Sequence, residues 1–146
     1  MPISTFAGNL ALNWLLDDTA ATRPTAWYLS LHTGDPGLTG ANELVVGTDA
    51  DYVRKAITFA AAASLAKATD AGVTWTAASG ATTYIVTHIG IWDALTTGNF
   101  LAYGALAVPE TVIASGSLNL AAVASSRRLL EDLTWLSRSV LAFATT

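Results

Sequence analysis

From Val86 to Leu106 the chain reads VTHIGIWDALTTGNFLAYGAL, and the reading of this stretch decides the fold. Two apolar, aromatic and β-branched segments flank a polar patch at residues 93–99, which ends in the turn pair Gly98-Asn99. Segments of that composition around a short glycine-containing loop predict a β-hairpin. On the first arm Ile89 and Ile91 share one face, while His88, Gly90 and Trp92 share the other. On the second arm Phe100, Ala102, Gly104 and Leu106 alternate with Leu101, Tyr103 and Ala105. Neither arm has a polar face, so the hairpin is expected to be covered on both sides. The domain core is one cover; a second sheet or another subunit is the other.

The composition of the whole chain agrees with that need. Its 146 residues fit one domain and suffice to bury a core without staples. Cysteine is absent, which excludes disulfides and thiolate metal sites. A net charge of −4 and a pI near 4.8 argue against nucleic acid as a partner, because neutralising phosphates takes clustered Lys and Arg. Hydrophobic residues make up 52% of the chain and charged residues only 12%, against about 25% charged in an ordinary soluble domain. Much of the outer surface is therefore expected to face something other than water. A membrane is a poor account of this. The uncharged stretch 71–92 is long enough to span a bilayer as a helix, yet it carries Thr74, Thr76, Ser79, Gly80, Thr82, Thr83, Thr87, His88 and Gly90. The N-terminal sequence has no basic n-region, so no secretory leader is expected. Burial between subunits is the better account.

Outward from the hairpin, the rest of the chain is read in order. Ser4 caps a helix predicted over residues 5–16, where Phe6, Leu10, Leu12, Trp14 and Leu16 put apolar groups around most of the surface. Asp17-Asp18 oppose the macrodipole and end it. Residues 26–32 alternate as a strand, and Thr33-Gly34-Asp35-Pro36-Gly37 stops it in a tight turn. The loop then runs to Asp51, and loops of that length are usually functional or interface-forming. Residues 52–59 and 73–76 are predicted strands, with an Ala-rich connection at 60–68. Pro109 is expected to break the second hairpin arm, leaving strands near 111–114 and 117–123. The predicted class is mainly β: an antiparallel sandwich or small barrel, jelly-roll-like, spanning 19–124. A helix or arm at 1–18 precedes it and a helical or extended amphipathic segment at 125–146 follows.

In that last segment Leu129, Leu133, Leu136, Val140 and Phe143 are spaced 4-3-4-3, a heptad seam two repeats long. It is expected to lie against its own or a neighbouring β domain, or to form a short bundle about a symmetry axis. With Phe6, Leu10 and Trp14 of the first helix and Leu38 and Leu44 of the long loop, these five residues are the candidate interface.

A search for chemistry finds none. His32 and His88 lack a metal-type neighbour and are read as core or interface histidines. Asp35, Glu43, Asp49 and Asp51 do not have the spacing of an EF-hand loop. No nucleophile elbow, P-loop or dinucleotide fingerprint is present, so neither a catalytic residue nor a cofactor is expected.

The order of motifs resembles a known family. Tyr28-Leu29-Ser30-Leu31-His32-Thr33-Gly34-Asp35-Pro36 is followed by Asn42-Glu43, by Tyr52-Val53-Arg54 and its apolar continuation to Phe59, and by Val86 to Ala94 with Gly98-Asn99-Phe100-Leu101 and Tyr103 to Leu106. From about Ala11 to Leu120 this is similar to small structural proteins of tailed bacteriophages, often labelled tail-fibre-like or head-decoration proteins. The resemblance implies a non-enzymatic, β-rich virion protein. It would be a homotrimer bound to the major capsid protein on the capsid surface, made in the host cytoplasm, with a stabilising (cement) role. A tail-associated fibre or adaptor protein is the alternative. After Leu120 the chain departs from the family pattern, which makes 125–146 an additional contact element. A cell-surface or carbohydrate-active module with Trp75, Trp92 and Tyr103 as stacking surfaces is a third reading, weakened because aromatics in a sandwich are more often core.

Overall fold

The computed structural model describes residues 2–16, 22–63, 66–122 and 124–126. Among these residues one helix, α1 (Thr5–Leu16), precedes eight strands: β1 (Trp27–His32), β2 (Lys55–Ile57), β3 (Ala66–Ala68), β4 (Val73–Thr76), β5 (Tyr84–Trp92), β6 (Phe100–Val112), β7 (Ser117–Leu120) and β8 (Ala124–Ser126). Every pairing is antiparallel. Four strands form the main sheet in the order β2-β1-β5-β6, while β4-β7 and β3-β8 form two-stranded ribbons. The predicted hairpin, β5-β6, is the longest pairing and provides half of the main sheet.

The core follows from the period of two in these strands. Leu29 pairs with Ile91 and Leu31 with Ile89, which places four aliphatic side chains on one face of the sheet. The β4-β7 ribbon meets that face. Trp75 pairs with Leu118 and Val73 with Leu120 on its inner side, while Thr74, Thr76, Ser117 and Asn119 point to solvent. Residues from both layers join in one buried cluster, each large aliphatic side chain contributing about 1.5–3 kcal/mol of burial. The Trp75 indole N–H donates to Val53 O at 2.9 Å, so the ring is buried without an orphaned donor. This is the expected mainly β class with an N-terminal helix.

Three local expectations change. Pro109 does not end the second arm: β6 continues to Val112, because Val86 pairs with Glu110 and His88 with Ala105. Residues 106–109 thus stand opposite Thr87 alone, in a wide bulge where no ladder N–H is needed from proline. The strand expected over 52–59 shrinks to Lys55–Ile57. Before it, Glu43 takes over the same edge of β1 by bridging to His32. Residues 124–126, at the junction with the C-terminal segment, form β8 and pair with β3.

The second face of the hairpin, extended by β1, carries Tyr28, Ser30 and His32 of β1 beside His88, Gly90, Trp92 and Tyr103. A second sheet or another subunit was expected there. The chain's own loop 33–51 caps the Trp92 end of this face, with Gly40 seated against Trp92 and Phe100.

Candidate interaction surface

Two features of the fold present apolar surface in a fixed shape: the loops at the Trp92 end of the sheet, and the N-terminal arm on β6.

The loops are organised by one cation. Arg54 is buried, and its Nε and Nη2 donate to the two carboxylate oxygens of Glu43, each at 2.8 Å. Its Nη1 donates to Ala94 O at 2.9 Å and Thr97 O at 2.7 Å, and its guanidinium lies over the Trp92 ring. The planar fork of arginine thus ties loop 33–51 to the hairpin loop 93–99. Tyr52 completes the network, donating to Glu43 Oε1 and accepting from Leu31 N–H. Burial pushes its phenol well above the ordinary range. Asp93 shapes the hairpin loop by accepting from Asn99 N–H and Asn99 Nδ2. Leu38 and Leu95, one from each loop, remain exposed.

Beside this hub runs a string of buried polar groups. His32 Nδ1 bonds a carbonyl, Ala41 O at 2.7 Å, so Nδ1 carries the proton and Nε2 is the acceptor. Ser30 Oγ lies 2.8 Å from Nε2 and takes the Trp92 indole N–H at 3.0 Å. The order of donation is Trp92 to Ser30 to His32 to Ala41. Burial holds the His32 pKa below its ordinary value, with the bond to Ala41 opposing the shift. Gly90 makes room for the string, since a Cβ there would stand 2.6 Å from both His32 Nε2 and Ser30 Oγ. Among the described residues no buried side-chain nitrogen or oxygen lacks a hydrogen-bond partner, which is how a scaffold is built. Among the described residues no three His, Asp or Glu side chains gather as a metal site. Asp49 is held in the same structural way. Burial alone would raise its carboxyl, but donation from Ala78 N–H, Tyr84 OH and Asp51 N–H holds it below the ordinary value.

The N-terminal arm is attached differently. Residues 2–4 add a short antiparallel strand to the outer edge of β6: Ser4 N–H donates to Leu101 O, Tyr103 N–H donates to Pro2 O, and Ile3 pairs with Ala102. Ser4 is buried; its hydroxyl donates to Phe100 O and accepts from Ala7 N–H, which is the predicted N-cap. Helix α1 then packs on β6 yet contains no buried residue. Ala7, Gly8 and Leu10 are half-buried. Leu12, Leu15 and Leu16, spaced i, i+3, i+4, form an open apolar stripe, and Trp14 is 75% exposed. No charged residue occurs before Asp17.

Of the candidate interface residues, Phe6, Leu10 and Trp14 lie on α1, and Leu38 lies exposed on the loop. Leu44 is corrected: at 4% exposure it belongs to the domain core, held by its N–H bonding to Leu31 O. Leu129, Leu133, Leu136, Val140 and Phe143 fall outside the described residues. Sequence reading counted Leu12 and Leu16 among the apolar groups of the helix but left them off the candidate interface, and it passed over Leu15, although the helical spacing marked all three. It also passed over the bulge residue Val108 and over Ile85 and Ile113, for which nothing in the local pattern distinguished exposed from buried.

A family model described as podophage GP4 fiber I protein gp80 matches residues 2–127. The chain belongs to that family. It is a phage structural protein, associated with the virion. The match takes in the N-terminal arm and β8, so it reaches further in both directions than the motifs from Ala11 to Leu120 that first carried the likeness. Residues 128–146, including the heptad seam, lie outside it. Among curated proteins, none matches the chain.

Proposed function

We propose that this protein is a subunit of a podophage fibre, self-associating through its apolar N-terminal arm and holding to the rest of the virion through its loops. The observation that carries the reading is the family match, which spans the whole β domain together with the arm. The arm supports it independently. An uncharged helix with Leu16 at 76% exposure and Trp14 scarcely less bare is poorly suited to water. A twelve-residue helix is also marginal without tertiary packing. A homotrimer, with three arms meeting about an axis, satisfies both needs.

The capsid surface is the other station on a virion that the same fold can serve, with the major capsid protein as partner, and fold alone does not choose between them. Cryo-electron microscopy of the intact particle tests the choice. The fibre reading expects the domain in density projecting from the tail and absent from the capsid lattice. Density repeating over the head would overturn it in favour of a decoration protein.

A further inference from the structure

The link between the arm and the domain points to an exchange. Residues 2–4 are held to β6 by backbone bonds at Leu101 and Tyr103 and by the Ser4 hydroxyl on Phe100 O. These contacts recognise an edge and a short segment, and they are the same whether that segment comes from its own chain or another. Ten residues, 17–26, separate α1 from β1; extended, they reach about 35 Å, comparable with the diameter of a small domain. No residue of the helix is fully buried where it lies, so leaving its own domain forfeits little.

We infer that the arm is exchanged between copies: residues 2–4 of one chain add to the Leu101–Tyr103 edge of β6 in a second copy, and α1 is carried into the contact between them. The inference rests on the self-association proposed above and names its partner surface. Each chain keeps every bond seen at the edge, while the Leu12, Leu15 and Leu16 stripe gains a covering surface. Swapping an identical element in this way is a low-cost route to an oligomer.

The absence of cysteine makes the test clean. Ile3 and Ala102 face each other with the ladder bonds on the flanking residues, Ser4 to Leu101 and Tyr103 to Pro2. This is a non-hydrogen-bonded pair, whose Cα atoms stand about 4.5 Å apart, close enough for a disulfide. Full-length Ile3→Cys and Ala102→Cys proteins, co-expressed with different tags and oxidised, should give a covalent heterodimer that reductant dissolves and that neither variant gives alone. The double variant on one chain reports that the pairing geometry survives the substitutions. If it closes its disulfide within single chains while the two single variants stay unlinked, exchange is overturned. Light scattering of the wild-type protein separates the two levels: an oligomer with intrachain disulfides sinks the exchange alone, and a monomer sinks the self-association as well.

Discussion

The guanidinium carbon of Arg54 lies 3.7 Å from the centroid of the Trp92 ring, while the same group bonds Glu43 on one loop and two carbonyls on another. The aromatic row continues from Trp92 to Phe100, 5.0 Å between centroids, and from Phe100 to Tyr103 at 6.0 Å. One buried cation therefore joins both loops to the aromatic face of the sheet. Arg54→Ala is expected to cost about 3–5 kcal/mol, because it leaves the Glu43 carboxylate without its counter-charge, held only by the Tyr52 hydroxyl, and takes the donor from two carbonyls. Arg54→Lys keeps the charge without the fork and should recover less than half of that. Urea unfolding midpoints of the two variants check both values.

Gly40 holds its loop on the sheet for a different reason. Its φ is +80°, and a Cβ would stand 2.6 Å from Trp92 and 2.9 Å from Phe100. Gly40→Ala should lose about 2–4 kcal/mol through backbone strain and overpacking together. Gly47→Ala is the control: open space surrounds it, and it should shift stability by less than about 0.5 kcal/mol. Thermal melts of the pair decide the point, since similar losses at both positions would show that the packing at Gly40 is not the cause.

How far the sequence exposed this architecture depends on the range of the interaction. The hairpin, the α1 bounds, the Ser4 cap and β4 were legible because period and capping are local. What covers the outer face of the hairpin was not. That answer turns on Gly40 lacking a side chain and on Arg54 reaching carbonyls 40 and 43 residues away, which no window of sequence displays. Tyr52 and Arg54 looked like strand residues by alternation, but their side chains are committed to Glu43, and the ladder begins only at Lys55. Leu44 looked like loop surface because its place in the core depends on the loop lying along the far end of β1, through its N–H bond to Leu31 O and the neighbouring Glu43 bridge to His32.

The buried histidine string sets a pH limit on stability. The His32 pKa is lowered from 6.5 by burial. As pH falls below 6.5 the unfolded chain takes up its proton first, so the stability present above that value is lost toward the folded-state pKa. The slope is at most about 1.4 kcal/mol per pH unit in that window. Asp49, also lowered, adds a second loss once pH falls below 3.8. Urea midpoints between pH 7.5 and 5 should fall for the wild type. For His32→Gln, which does not titrate, they should start lower and stay flatter. Parallel profiles would assign the pH dependence elsewhere.

The exposed helix separates stability from assembly. Leu12, Leu15 and Leu16 are at least half exposed, so replacing all three with Gln removes little from the isolated domain. Its melting temperature should move by no more than about 2–3 °C, the range expected for surface substitutions. If α1 is covered by other copies, each leucine contributes up to about 1.5–3 kcal/mol of burial between chains. Losing three should weaken association by more than about a hundredfold, even after incomplete burial is allowed for. Sedimentation of the triple variant across a concentration series checks this directly. An unchanged oligomer would move the interface away from α1, leaving Leu38, Leu95 and the C-terminal seam to carry it. A lower melting temperature with dissociation would instead show that the domain depends on its partners for its fold. The expected pairing, dissociation with an intact melt, fits an arm that belongs to the assembly more than to the monomer.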